Sequence, residues 1–225
     1  MEDVKGNLER VRERVARAAE RAGRQPDDVL LIGASKTVEV ERIRQALAAG
    51  LGALGENRVQ EAKAKVEALG HLVPWHLIGP LQTNKARDAV ALFDVIHSVD
   101  RVELARELDR RAQAQYRVID VLLEVNLGAE PAKSGVRPDG LGALIDTITS
   151  LGHLRPRGLM AIPPVAERPE EARGWFRALR ELGERHGLNE LSMGMSADYE
   201  VAIEEGATMV RVGTAIFGAR PARAA

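Results

Sequence analysis

The chain has 225 residues, with 32 Lys and Arg against 33 Asp and Glu for a formal net charge of −1, and no Cys. Near-neutrality removes the electrostatic case for nucleic acid or an anionic membrane, and the missing thiol removes disulfides and thiolate chemistry. No apolar run approaches a membrane span, and residues 1–5 open on charge rather than as a signal peptide, so the reading is a soluble protein that suits a reducing cytoplasm.

Val4, Leu8, Val11, Val15, Ala18 and Ala22 recur at helical spacing through a charged segment, which predicts an amphipathic helix over 3–22 stopped by Gly23. Residues 29–36 follow as an uncharged apolar run that ends on Lys36 between two hydroxyls, Ser35 and Thr37. Such a run is a strand buried on both faces, as in a parallel sheet. A helix over about 39–49, closed by Gly50, completes the unit.

The alternation then repeats. A short strand over 51–55 ends in Glu56-Asn57, and Val59, Ala62, Val66 and Leu69 mark a helix stopped by Gly70. The third strand covers 73–79, and a loop over 80–84 leads into a short helix. The fourth covers 93–98 with its helix at about 101–115, and the fifth and strongest covers 118–126. Leu141, Leu144, Ile145, Ile148 and Leu151 mark the next helix, 156–162 holds the sixth strand, and Trp175, Phe176, Leu179 and Leu182 place the sixth helix. A weak seventh strand at 190–193, a short helix over 197–205 and an eighth strand at 208–212 finish the series.

Eight strands, seven intervening helices and one leading helix are the count of a (β/α)₈ TIM barrel with an extra N-terminal helix, read as a single domain over 1–225. The alternative is a doubly wound open sheet. It favours a Gly-rich first turn, and Gly33-Ala34-Ser35-Lys36 is not a G-x-G-x-x-G fingerprint.

In a barrel the strand ends share one face, which here gathers Lys36, Asn57, His76, Ser98, Asn126, Met160, Met193 with Ser196, and Arg211 with Gly213. The neutral amine of a lysine in such a place is a nucleophile for aldehydes, whereas a solvated lysine merely snorkels. Strand alternation sets Val210 and Val212 against Arg211 and turns the arginine into the mouth, where it faces a ligand or pairs with a carboxylate such as Glu124. Residues 193–196 and 211–218 form turns of small residues where phosphate sites of barrels lie, although N-capping and ordinary turn chemistry account for each turn singly. His71, His76, His97, His153 and His186 lack metal-site spacing, so no metal is assigned and the histidines read as structural. Lys85 and Lys133 read as surface charges. An amine on one side and a phosphate cradle on the other describe an aldehyde phosphate, either pyridoxal 5′-phosphate or a sugar-phosphate aldolase substrate.

Residues 34–37, Gly55-Glu56-Asn57, residues 75–85, Lys133-Ser134-Gly135, Gly158-Leu159-Met160, residues 191–196 and residues 211–218 stand in an order that resembles the pyridoxal phosphate homeostasis protein family. The fold of that family is similar to the N-terminal barrel of alanine racemase. The resemblance implies pyridoxal 5′-phosphate as cofactor, with Lys36 forming the Schiff base, Ser196, Gly213 and Thr214 at the phosphate, Arg211 facing the pyridine nitrogen, and Asn57 and His76 lining the cofactor. It further implies a cytoplasmic monomer that holds the cofactor, delivers it to PLP-dependent apo-enzymes and has no strong turnover of its own. The alternative function is an amino-acid racemase, which in the alanine racemase type needs a second base from a further domain; Tyr116 and Tyr199 do not obviously replace it. Arg58 stands where the family usually carries an aromatic beside Asn57, and Tyr199 and Glu200 vary the start of the last helix.

Overall fold

The computed structural model describes residues 3–219. Helix α1 (Val4–Arg21) leads, and its apolar stripe of Val4, Leu8, Val11, Val15, Ala18 and Ala19 is buried. Strands and helices then alternate: β1 (Leu30–Ala34), α2 (Val40–Ala48), β2 (Ala53–Glu56), α3 (Val59–Leu69), β3 (Trp75–Leu77), α4 (Ala86–Leu92), β4 (Val95–Val99) and α5 (Val102–Ala114). The second half is β5 (Ile119–Glu124), α6 (Leu141–Ser150), β6 (Leu154–Met160), α7 (Arg173–His186), β7 (Glu190–Met195), α8 (Tyr199–Glu204), β8 (Met209–Val212) and a short α9 (Thr214–Phe217). Each strand pairs in parallel with the next, and β8 pairs with β1, so the sheet is a closed barrel and the open-sheet alternative is excluded.

Strand alternation divides the apolar residues between two cores. Ile32, Ala53, Leu122, Met160 and Met209 cluster inside the barrel, while Leu54, Val121, Leu123, Val210 and Val212 face the surrounding helices in the larger outer core. Leading helix α1 packs on α8 and α9, and the Asn7 side-chain amide donates to the Ile216 carbonyl at 3.0 Å. Arg21 adds an ion pair to Glu204 at 2.7 Å.

Several strand limits differ from the sequence expectation, each for a local reason. β1 ends at Ala34 rather than Lys36, because the backbone turns at Thr37, whose φ is +61°. β2 starts at Ala53, since the N–H of Leu51 is spent on the Ala46 carbonyl in the cap of α2. β4 starts at Val95, because the N–H of Phe93 still belongs to α4 through the Ala89 carbonyl. β6 runs from Leu154 to Met160 instead of 156–162, and Ile162 precedes the Pro163-Pro164 pair, which interrupts a ladder.

β6 and β7 approach so closely that a Cβ on Gly158 would lie 1.8 Å from the Glu190 carbonyl oxygen. Gly158→Ala therefore forces the two strands apart. An overpacking cost of about 1–3 kcal/mol is expected, seen as a lower urea midpoint at unchanged m-value. An unchanged midpoint would contradict this strand contact.

Candidate functional site

A cavity of about 320 Å³ opens at the C-terminal mouth of the barrel. Its walls include Lys36, Asn57, Ser196, Arg211, Gly213 and Thr214, together with Ile78, Ile162, Met195 and Phe217. Inward parity on β1 runs through Leu30, Ile32 and Ala34, and one more step of two carries Lys36 to the mouth.

The residue before Lys36 is clamped from below. The ammonium of Lys65 on α3 donates to the Ser35 carbonyl at 2.6 Å and to Glu56 Oε1 at 2.6 Å, and the Ser35 hydroxyl donates to that same oxygen at 2.6 Å. Glu56 is fully buried and its carboxyl is pushed above the ordinary range by that burial, against the pull of Lys65. Removing either partner from such a pair costs several kcal/mol, on the order of 3–5. On the other side, Thr37 holds a positive φ of 61°, a strained setting for a β-branched residue, and its hydroxyl donates to the Lys36 carbonyl at 2.6 Å. Lys36 thus projects from a backbone fixed on both sides.

Opposite Lys36 lies the turn from β7 into α8 and the start of α9. The Ser196 hydroxyl accepts the N–H of Gly213 at 3.2 Å and that of Ala215 at 3.4 Å. With its lone pairs engaged, that hydroxyl has its proton left to donate. A Cβ on Gly213 would sit 3.1 Å from the Ala34 carbonyl oxygen, so glycine is what lets β8 lie against the end of β1. Gly194, at φ +89°, allows the turn that presents Ser196, and a Cβ there would meet Tyr199 Cα at 2.9 Å.

The floor is a buried polar chain. Arg211 donates to the Ser192 carbonyl at 2.7 Å, the Ser192 hydroxyl at 2.6 Å and the Ala161 carbonyl at 3.0 Å. Ser192 Oγ lies 2.9 Å from His97 Nδ1, and His97 Nε2 lies 2.8 Å from His76 Nδ1. Burial holds both imidazoles neutral at pH 7: His76 falls to about 4, and His97 falls well below the ordinary range, with His76 and Arg211 adding to the effect. Burial also lowers Arg211 to about 10, against the raising influence of Glu124 and Asp198, so it stays charged. Glu124 is pushed up to about 7, first by burial and then by Asp100, with Arg211 opposing. Among the described residues its Oε2 has no hydrogen-bond partner and Arg211 makes no ion pair; carbonyls and a hydroxyl bind Arg211 instead.

Of the seven residues singled out in the sequence, Lys36, Asn57, Ser196, Arg211, Gly213 and Thr214 converge on this cavity. His76 is the exception: it is 2 % exposed, joined to His97, and is not among the cavity walls. Lys133 pairs with Glu130 at 2.6 Å, away from the cavity walls. The clamp of Glu56 and Lys65 and the floor of Ser192 and His97 were not anticipated. One sign was available, since Lys65 falls three residues after Ala62 on the apolar face of α3, where a lysine needs a buried partner.

The family described as alanine racemase, N-terminal domain, matches residues 6–221. Among curated proteins, the pyridoxal phosphate homeostasis protein of Aquifex aeolicus is 50% identical over 220 residues, covering 95% of this chain and 96% of the relative. That of Pseudomonas aeruginosa is 46% identical over 224 residues, covering 98% and 97%. Among solved structures, PipY of Synechococcus elongatus with PLP bound superposes at a TM-score of 0.80 with 43% identity, covering 91% of this chain and 100% of that chain. An alanine racemase of Clostridium difficile superposes at 0.73 with 15% identity, covering 98% of this chain and 58% of that chain, a likeness of fold alone.

The floor makes stability pH-dependent. Glu124 titrates at about 7 in the fold against 4.5 for an ordinary glutamate, so the folded chain binds more protons between those values. Its stabilising contribution is complete below pH 4.5 and is lost as pH rises through 7, by roughly 3 kcal/mol at most. Urea unfolding from pH 5 to 8 should show Glu124→Gln gaining on the wild type as pH rises. A constant difference between the two proteins would contradict the shifted carboxyl.

Proposed function

Because the chain belongs to the pyridoxal phosphate homeostasis protein family and matches the alanine racemase N-terminal domain, we propose that it binds pyridoxal 5′-phosphate as a Schiff base on Lys36 and acts in cofactor homeostasis. The observation that carries this reading is one cavity lined by both a clamped lysine and the Ser196–Gly213–Thr214 cradle. The fit is chemical as well as spatial. About 320 Å³ suits a small ring, the Ser196 hydroxyl retains a proton for a phosphate oxygen, and Gly213 brings backbone close to it. Asn57 forms a wall of the same space.

Pyridoxal phosphate held as an imine supplies an electron sink for amino-acid chemistry. Arg211 restrains that chemistry. Its guanidinium is charged, can only donate hydrogen bonds, and disfavours protonation of a pyridine nitrogen that faces it. A racemase of the alanine type needs a second base on the far face, and neither tyrosine is at hand. Tyr116 is 98% exposed, and Tyr199 is fully buried outside the cavity walls. The relatives at 46–50% identity carry the name homeostasis protein, whereas the racemase likeness stands at 15%. The reading is a cytoplasmic monomer, one barrel domain, that holds the cofactor and hands it to PLP-dependent apo-enzymes.

On mixing with pyridoxal 5′-phosphate, the wild type should develop the visible band of a protein imine and Lys36→Ala should not. Ser196→Ala should weaken binding of the phosphate ester by about 1.5–3 kcal/mol and leave pyridoxal unaffected. Equal wild-type affinity for pyridoxal and its phosphate would refute the cradle. Amino-acid racemisation on the order of 1 s⁻¹ would refute the carrier role.

A further inference from the structure

A second cavity, of about 640 Å³, adjoins the first, and Lys36 and Asn57 line both. Arg58 and Lys85 join Lys36 in its wall, so among the described residues three cations border it and no carboxylate does. Val59 and Gln60, the first two residues of α3, complete that side, and Arg58 at the N-cap position makes no side-chain hydrogen bond to the helix. The backbone N–H groups at this end are therefore uncapped by a side chain, and the helix adds partial positive charge. Arg58 does pair with Glu61, but at 3.7 Å and between side chains 62% and 29% exposed, a screened contact that leaves donors to spare. Lys85 makes no ion pair among the described residues. Gln60 and Gln82 contribute neutral polar groups to the same wall.

We propose that this second cavity is a carboxylate subsite for α-amino acids and 2-oxo acids. A carboxylate held between Arg58, Lys85 and the start of α3 directs the α-carbon, with its amino or oxo group, toward the shared wall at Lys36. A guanidinium suits a planar carboxylate because two parallel N–H donors match its two oxygens. Arg58 gives this wall a preference for acids over neutral amines. The biological meaning rests on Lys36 as the cofactor's anchor, yet the subsite is measurable without cofactor.

The test is a titration of the cofactor-free full chain, following the side-chain nitrogen resonances of Arg58 and Lys85. L-Alanine and pyruvate should shift both, alaninamide should shift neither, and Arg58→Gln combined with Lys85→Gln should weaken alanine and pyruvate binding at least tenfold. The double variant should still take up pyridoxal 5′-phosphate within about twofold of the wild type, read from the visible band. Arg58→Gln alone carries the comparison if the double variant misfolds. Equal shifts from alaninamide, wild-type affinity in the variants, or inorganic phosphate displacing alanine at a tenfold lower concentration would overturn the proposal, the last by marking a phosphate site. A wild type that never forms the visible band would overturn the cofactor reading alone and leave the titration to decide the subsite.

Discussion

Pairing of β8 with β1 is the constraint on which the site depends. The register matches Ile32 with Arg211 and Gly33 with Val212, each pair 179 positions apart, so the residues after the first strand and those after the last become neighbours. Only this closure sets Lys36 beside Gly213 and Thr214. It also explains the small residue on the β8 side of the seam, since a side chain at Gly213 would press on the Ala34 carbonyl oxygen at 3.1 Å.

Closure alone gives proximity, and buried charge gives direction. Lys65 ties the backbone at Ser35 to Glu56 at the end of β2, an arrangement whose desolvation is offset only while all three groups stay together. Below the mouth, Arg211 is held by carbonyls and Ser192 rather than by a carboxylate, so its charge is not neutralised locally and acts on whatever lies above it. Glu124 and Asp198 influence it from further away, and burial pushes the Glu124 carboxyl up to about 7. The barrel interior at this level is thus a polar layer on top of the apolar one made by Ile32, Leu122 and Met209.

Apolar periodicity was enough to locate the eight strands, because two-sided burial writes runs such as 118–126 that only a central parallel strand explains, but the short helix α9 at Thr214–Phe217 falls in a stretch that reads as a turn of small residues. Strand ends were less legible: where the chain leaves the sheet is decided by caps at Leu51 and Phe93 and by the turn at Thr37, which the apolar pattern does not encode. Counting alternation from β8 placed Arg211 inside, and the structure agrees. The same counting applied to His76 gives an inward residue as well, but depth along the axis decides whether an inward residue meets the cavity or the core. His76 is bonded to His97 and is not among the cavity walls. The partners Ser192, His97 and Lys65 depend on contacts 9 to 95 residues apart, which no local pattern reports.

In the proposed function Lys36, among all the lysines near the mouth, is the one that meets the aldehyde. Borohydride reduction of the wild-type protein with pyridoxal 5′-phosphate, followed by peptide mass mapping, tests it directly. The expected product is a reduced pyridoxyl group on the peptide carrying Lys36, with Lys85 and Lys133 unmodified at equimolar cofactor. Label on Lys85 or Lys133 with Lys36 unmodified would contradict it.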